Sequence, residues 1–417
     1  MNAEIIAVGS ELLTPYRLDT NSLWLTDELN KIGIRVIHKA VVGDSRDEMR
    51  SSFRQALDRA DLIIASGGLG PTDDDRTRET VAELLDRKLH LDEAIVREIQ
   101  ERFRRFARTM PEINKRQAMV PEGATVLPNP RGTAPALWLE ADGHIIVLLP
   151  GVPHELKSIF ETEVRPRLAK ISGDERLFTR DLRTTGLGES DVETRVRPLY
   201  QLYPDTETTI LAAPTGTQLH PRTWSSDAAK AEKLLDEITD RMALALGEHL
   251  YSTRGEALEE VVARVLTENR ATVAVAESCT GGLLAERLTR VPGSSSYFLG
   301  GVICYSNDLK TTFVGVPQSM IETKGAVSSE VALALADGIR KRTGATLGVG
   351  VTGVAGPGGG TPEKPVGLVH IGLADEHGPR ERAYRFPGDR ERIRQFAAQA
   401  ALDAVRRYYL FPAAARA

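Results

Sequence analysis

The sequence predicts an α/β protein in three parts: a parallel-sheet domain over residues 1–170, a small α+β unit over 171–250, and a second α/β domain over 256–417. Three observations lead there. The chain has 417 residues, more than one ordinary core accommodates. Short β-branched runs alternate with helical patterns at both ends, the signature of strands joined by crossover helices. Between them, strand patterns over 181–185, 208–212 and 218–224 bracket one helix and precede a long amphipathic helix over 230–246.

Composition narrows the class. Hydrophobic residues make up 41% and charged residues 27%, the profile of a soluble globular protein. The net charge of -5 gives no global basic field, so no nucleic-acid partner is expected. Two cysteines, Cys279 and Cys304, exclude a disulfide framework and a cysteine-rich zinc site, and suit the cytosol. The first residues lack a basic, apolar leader pattern, and no run of about 18 apolar residues suggests a membrane span. A cytoplasmic location is therefore expected.

In the first domain, strands are expected over 4–8, 35–42, 62–66 and 145–149. Helices are expected over 21–32, 48–59 and 76–85. Ligands of such sheets gather at the carboxyl ends of the strands. Two loops there carry chemistry. Gly67-Gly68-Leu69-Gly70-Pro71-Thr72 runs into Asp73-Asp74-Asp75 and a helix. Its glycines allow close approach to a phosphate, and its carboxylates suit a divalent cation. The plainer reading is a solvated acidic turn at a helix start. The second loop, Asn129-Pro130-Arg131-Gly132-Thr133-Ala134-Pro135, precedes a strand ending in Leu149-Pro150-Gly151-Val152-Pro153. Lys115 and Arg116 follow a basic helix and are candidate phosphate contacts, or simply a solvated face. The Walker pattern is absent.

The middle unit offers Gly186-Leu187-Gly188 before a helix over 191–200. Its spacing is wrong for the GxxG loop of an RNA-binding KH domain, so a spacer or dimerisation role is expected. Residues 248–255 read as a linker.

The last domain centres on Ala276-Glu277-Ser278-Cys279-Thr280-Gly281-Gly282. A buried strand over 272–275 precedes it and a helix over 283–288 follows. Ser278 or Thr280 could simply cap that helix. Alternatively, the turn's N–H groups could polarise a carbonyl. The domain's histidines, His370 in an apolar strand and His377 in a polar loop, support no Ser-His-Asp triad. A desolvated lysine is an alternative base, and Lys310, beyond Tyr305-Ser306-Asn307, is best placed. The competing reading is an exposed helix lysine. Gly348-Val349-Gly350-Val351-Thr352-Gly353 matches GxGxxG by letter. It lies inside a strand and leads into Pro357, so it is no Rossmann loop. A final helix over 389–409 has Asp389 as its expected cap.

These motifs carry a resemblance. Gly9-Ser10-Glu11-Leu12-Leu13, Asp19-Thr20-Asn21-Ser22 and the two loaded loops resemble the molybdopterin-binding-like first domain of CinA proteins. The middle unit resembles their KH-type region. The 276–282 turn, Tyr305-Ser306-Asn307 with Lys310, Gly325-Ala326-Val327-Ser328, Thr352-Gly353-Val354-Ala355-Gly356-Pro357, Lys364-Pro365-Val366-Gly367 and Gly388-Asp389-Arg390 resemble their C-terminal nicotinamide mononucleotide deamidase domain.

The resemblance implies two activities. The first domain would hydrolyse ADP-ribose to AMP and ribose 5-phosphate with a divalent metal such as Mg2+. Its ligands would be Glu11, Asp73 and Asp74, since Ser10 stands where many members carry Asp. Gly67, Gly68, Gly70, Thr72, Lys115, Asn129, Gly132, Thr133 and Gly151 would contact substrate. The last domain would deamidate nicotinamide mononucleotide without a metal. Ser278 would be the nucleophile, Lys310 the base, Tyr305 its orienting partner, and N–H groups near Thr280 and Gly281 the oxyanion donors. Gly281, Gly282, Ser295, Thr352, Gly353, Gly356 and Arg390 would hold substrate. Symmetry statistics and the resemblance imply a homodimer. Other readings are a non-catalytic binding protein of competence or recombination, and a first domain that binds molybdopterin.

Overall fold

The computed structural model describes residues 1–411 and divides into two compact units. The first contains Met1–Leu177. Its six-stranded sheet has the spatial order Arg35–Val42, Asn2–Val8, Leu62–Ser66, His144–Leu149, Ala136–Ala141, Thr125–Leu127. The first four strands are parallel, as the alternating pattern predicts, and the last two are antiparallel. The antiparallel pair comes from a two-residue hairpin at Asp142-Gly143, both with positive φ, which matches the right-handed twist of paired strands. The sequence reading took 145–149 as a strand but not its hairpin partner.

Period-two alternation divides the sheet's two cores. Ile63, Ala65, Ile146 and Leu148 pack with Met49, Phe53 and Val81 on one face. Leu62, Ile64, Val147 and Leu149 pack with Leu25, Leu29 and Phe160 on the other. Helices therefore cover both faces, and the carboxyl ends of the parallel strands form an edge where Gly9, Gly67 and Gly151 meet.

The second unit contains Phe178–Thr223 and the chain from Ala231 onward. Its smaller sheet orders Glu207–Ala213, Gly216–Ser225, Leu182–Thr184 and Leu250–Ser252. The stretch read as a linker thus supplies a strand, Leu250–Ser252, paired with Leu182–Thr184. The larger sheet orders Phe298–Ile303, Val273–Glu277, Leu347–Gly353, Leu368–Asp375 and Gly378–Arg385. Its first three strands are parallel and the remainder antiparallel. The last strand, Gly-Pro-Arg-Glu-Arg-Ala-Tyr-Arg, was not anticipated, because an edge strand with one wet face can be mostly charged.

The helix Arg390–Leu410 binds the two sheets of this unit together. Asp389 caps it as expected, accepting from Arg392 N at 2.9 Å. Near its other end Arg406 is fully buried. It pairs with Asp403 and donates to the carbonyls of Leu250 and Glu248, the strand that the supposed linker became. Removing Arg406 leaves Asp403 with Arg407 and strips the Leu250 and Glu248 carbonyls of a buried charged donor. Arg406→Ala should therefore lower stability in urea titration by about 3 kcal/mol. Arg222→Ala removes an exposed pair with Glu207 and should cost less than about 1 kcal/mol.

Candidate active site

The strand Val273–Glu277 is buried throughout and ends at the turn that the sequence singled out. Neither Ser278 nor Thr280 caps the following helix, Leu283–Arg290. The N-cap is Gly282, left-handed at φ 95°, with no side-chain cap of its own. The capping group is Glu277, which the sequence reading passed over. Its buried carboxylate accepts from Gly282 N at 2.9 Å, Leu284 N at 3.1 Å and Ala285 N at 2.8 Å. The positive end of the helix is thereby taken by an internal anion.

This changes which N–H groups of the turn are open to an acceptor. The Gly281 N–H goes to the Ser278 carbonyl, and the Leu283 N–H to that of Thr280. The N–H groups of Cys279 and Thr280 have no such partner among the described residues. Thr280 is fully buried, and its Oγ1 also lacks a partner among them. Gly281 and Gly282 both have positive φ, which lets the chain turn back within one helical turn.

Two nucleophiles compete at the turn. Burial pushes the Cys279 thiol up to about 12, so it carries almost no thiolate near neutrality. Ser278 is anchored by its N–H to the Val351 carbonyl at 2.9 Å. Cys304 and Lys310 are tied to this turn by hydrogen bonds. Cys304 N donates to the Glu277 carbonyl at 2.8 Å, which ties the start of the Lys310 segment to the residue before Ser278.

Lys310 lies on the helix Asn307–Val314, capped by Ser306, and is only 1% exposed. The reading of an exposed lysine therefore fails. Its Nζ donates to the Cys304 carbonyl at 3.0 Å and the Tyr305 carbonyl at 3.1 Å. Among the described residues no carboxylate pairs with it. Burial lowers its pKa below the ordinary lysine value. A neutral amine has two N–H bonds and one lone pair. The two carbonyls match the two N–H bonds, leaving the lone pair for a proton.

The expected role of Tyr305 changes. Its ring is 58% exposed and its hydroxyl accepts from Arg390 at 2.9 Å, so Lys310 is oriented by the Tyr305 backbone and not its side chain. Arg390 also donates to the Gly356 carbonyl at 2.8 Å. One turn on, Arg394 donates to the Thr280 carbonyl at 2.8 Å; sequence reasoning missed it. Its only sequence signal was the i,i+4 spacing from Arg390. A cavity of about 250 Å³ lies against these arginines, lined also by Leu283, Glu391 and Gln395.

Other expected contacts are turned elsewhere. Thr352 is fully buried and donates to the Ala326 carbonyl at 2.7 Å, bracing the loop before the next helix. Gly353 is required by packing, since a Cβ there would crowd Val369 and the Leu368 carbonyl. Ser295 lies in the Ser294–Ser296 turn before Phe298, and Phe298 is in register with Val273. It is therefore at the amino end of the parallel strands, roughly 15 Å along the strand direction from Ser278. The structure does not bring it into this site. His370 pairs with Glu381 at 2.5 Å, as a structural histidine.

In the first domain, the loaded loops are braced mostly by the protein itself. Thr77 Oγ1 donates to the Gly67 carbonyl at 2.9 Å. Asn21, which had no assigned role, donates to Ser66 Oγ at 2.9 Å and the Gly151 carbonyl at 2.8 Å. A Cβ on Gly67 would strike the Val8 carbonyl, one on Gly68 the Thr77 hydroxyl, and one on Gly70 the Asp75 carboxylate. Gly132 is likewise crowded by Glu155. Asn129 donates to the Ala134 carbonyl at 2.8 Å and to Glu155 at 2.6 Å, closing its own loop. Thr133 lines a cavity of about 410 Å³ with Arg102, Phe103, Phe106 and Arg108. Lys115 pairs with Glu112 at the surface at 2.7 Å. Arg116 is the residue that reaches the acidic loop, donating to the Thr72 carbonyl at 3.1 Å and Asp73 at 3.2 Å. Arg78, fully buried, donates to the Leu69 and Arg116 carbonyls at 3.0 Å each.

The expected metal ligands do not converge. Among the described residues no three His, Cys, Asp or Glu side chains form a group that could hold a metal ion. Glu11 folds back over Gly9. Asp73 faces Arg116, and Asp75 accepts from both the N–H and the hydroxyl of Thr72. The hydrogen bond from Thr72 and its own backbone hold the exposed Asp74 carboxyl below its ordinary value. The residues present do not fit a divalent cation in this arrangement. Among the described residues no helix is long and apolar enough to cross a membrane.

Comparison with known proteins covers the chain in three blocks. Residues 4–170 match the family described as "Probable molybdopterin binding domain". Residues 179–252 match "Damage-inducible protein CinA KH domain", and residues 255–409 match "CinA C-terminal domain". A CinA-like protein of Solibacter usitatus is 48% identical over 98% of both chains. A CinA-like protein of Koribacter versatilis is 48% identical over 98% of this chain and 99% of its own. A crystal structure of a competence/damage-inducible protein from Agrobacterium tumefaciens is 41% identical over 35% of this chain and 92% of its own, with a TM-score of 0.34.

Burial of the two thiols is directly testable. Neither Cys279 nor Cys304 should react with a water-soluble disulfide reagent at pH 8 in the native protein, and both should react once it is denatured. Rapid reaction of one thiol in the native state would restore Cys279 as a candidate nucleophile.

Proposed function

The chain belongs to the CinA family, and on that premise we propose that its last domain hydrolyses the carboxamide of nicotinamide mononucleotide to a carboxylate and ammonia. The observation that carries this reading is Lys310: a buried amine, without a carboxylate partner among the described residues, held by the carbonyl of Cys304, whose own N–H donates to the residue before Ser278.

Ser278 Oγ attacks the amide carbon while its proton passes to the Lys310 lone pair. The amide oxygen becomes an oxyanion facing the N–H groups of Cys279 and Thr280, donors of the kind worth a few kcal/mol in a transition state. Lys310, now an ammonium, returns the proton to the departing nitrogen, which leaves as ammonia. Water then attacks the Ser278 ester, with Lys310 again taking the proton. The carboxylate is released and Ser278 regains its hydrogen. Arg390 and Arg394, one turn apart beside a cavity, supply positive charge for the phosphate of the substrate.

For the first domain we infer phosphate-ester binding at the loop 67–72, with ADP-ribose hydrolysis as the reaction. The support is Arg78, a buried guanidinium whose partners are carbonyls and whose charge lies under that loop. The ligand set gives no metal-dependent step.

Two measurements test these readings. Ser278→Ala and Lys310→Ala should each reduce ammonia release from nicotinamide mononucleotide by about 10³-fold or more. Lys310→Arg, always protonated, should be as poor as Lys310→Ala. In the wild type, activity should rise with pH through the lowered pKa of Lys310, because only the unprotonated amine accepts the Ser278 proton. Unchanged ammonia release in Lys310→Ala would leave a non-catalytic role in competence or recombination as the better reading. Separately, the protein with ADP-ribose should form AMP, measured with and without added Mg2+. Absence of AMP in both conditions would favour a binding module for the first domain.

A further inference from the structure

A second cavity, of about 490 Å³, opens within the second unit away from Ser278. One wall is the turn 185–189 and the hairpin 212–217 of the smaller sheet. The opposite wall comes from the Gly378–Arg385 strand, Phe386 and the helix Arg390–Leu410. Nothing in the amide chemistry uses it.

Three features of its lining point to a ligand. The first is an aromatic column. Tyr384 and Phe386 stack at 5.3 Å and 14°, and Phe386 and Phe396 at 5.5 Å and 18°. Such a column offers a π-face to a planar ring. Arg382 sits 5.5 Å over the Tyr384 ring and enters no ion pair among the described residues.

The second is Gln399, only 3% exposed. Its Oε1 accepts from Arg287 at 2.8 Å, while its Nε2 has no partner among the described residues. A buried amide donor without an acceptor is costly, so an acceptor is wanted there. The third is the turn Gly186-Leu187-Gly188, which opens the helix Glu189–Tyr200 without a side-chain cap. Its free N–H groups suit an acceptor. Glu189 and Asp191 in that first turn would repel a phosphate, so the acceptor at this end is a neutral ring nitrogen or carbonyl. Arg407, the other cation in the lining, is spent on Asp403 and Glu248. The uncommitted cation is therefore Arg382, at the Tyr384 end.

From these features we propose that the cavity is a mononucleotide-binding site. The base stacks on the Tyr384–Phe386–Phe396 column and presents acceptors to Gln399 and the 186–189 turn, and the phosphate lies at Arg382. The volume suits one nucleotide. A strand of RNA would need an open groove continuing past the cavity, and the GxxG clamp is missing.

Photolabelling tests this on the full chain. Irradiation with 8-azidoadenosine 5′-monophosphate, followed by peptide mapping, should label peptides covering 185–189, 212–217 or 382–400. Excess unlabelled AMP should abolish that label. Phe386→Leu and the exposed Arg382→Ala should each weaken it about tenfold, with ammonia release unchanged. Arg382→Ala serves if Phe386→Leu does not fold. Label confined to residues 67–75 or 278–310, with none in the cavity peptides, overturns the proposal. So does cavity label that single-stranded RNA displaces and AMP does not. Label in the cavity with no ammonia release would leave this site standing and remove the deamidase reading.

Discussion

The buried carboxylate of Glu277 governs the last domain. A carboxylate in the interior is tolerable only when its oxygens are met by donors. Here three N–H groups of the following helix meet it, and in doing so they force Gly281 and Gly282 into left-handed turns. Ser278 is then fixed between two rigid attachments, the Val351 carbonyl behind it and the Glu277 knot after it. The backbone carbonyl of the same Glu277 receives Cys304 N, and the carbonyl of Cys304 in turn receives Lys310. The proposed nucleophile and base are thus linked through one main-chain hydrogen bond, Cys304 N to the Glu277 carbonyl, and one from the Lys310 side chain to the Cys304 carbonyl.

That arrangement also explains why Lys310 is suited to act as a base. It is buried with no carboxylate partner among the described residues, and that desolvation favours its neutral form. The same surroundings disfavour thiolate at Cys279. One environment therefore deactivates the thiol and activates the amine. The helix Arg390–Leu410 packs into the same core as Cys279. Arg390 and Arg394 at its start grip the Gly356 and Thr280 carbonyls, and Arg406 at its end grips the smaller sheet.

The first domain teaches a different lesson about glycine. Its loop glycines looked like room for a ligand. Most of that room is filled by Val8, Thr77, Asp75 and Glu155 of the protein itself. Close packing of the loop onto the strand ends and its own side chains is what requires them. The acidic residues behave likewise. Asp73 and Asp75 are occupied by Arg116 and Thr72, so an aspartate run in sequence did not become a cluster in space.

Much of the fold was legible in the residues alone. Period-two and period-3.6 patterns place the parallel strands and their helices, because burial of one face leaves a local mark. The cap of Asp389 and the turn at 276–282 are local too, whereas the preference for Ser278 rests on the lack of a histidine partner together with the family resemblance. What needed the tertiary structure were properties set by residues far apart in the chain. Glu277 reads as one more acid until the helix folds back onto it. Lys310 reads as the candidate base, but its spacing alone is equally that of a surface lysine until tertiary packing buries it. Ser295 reads as a neighbour of Ser278 until parallel pairing puts it at the opposite end of the sheet. Sequence determined which elements form and which chemistry is available; only the packing decided which groups are desolvated and which N–H groups remain free, because desolvation and hydrogen-bond pairing depend on the whole surround of an atom.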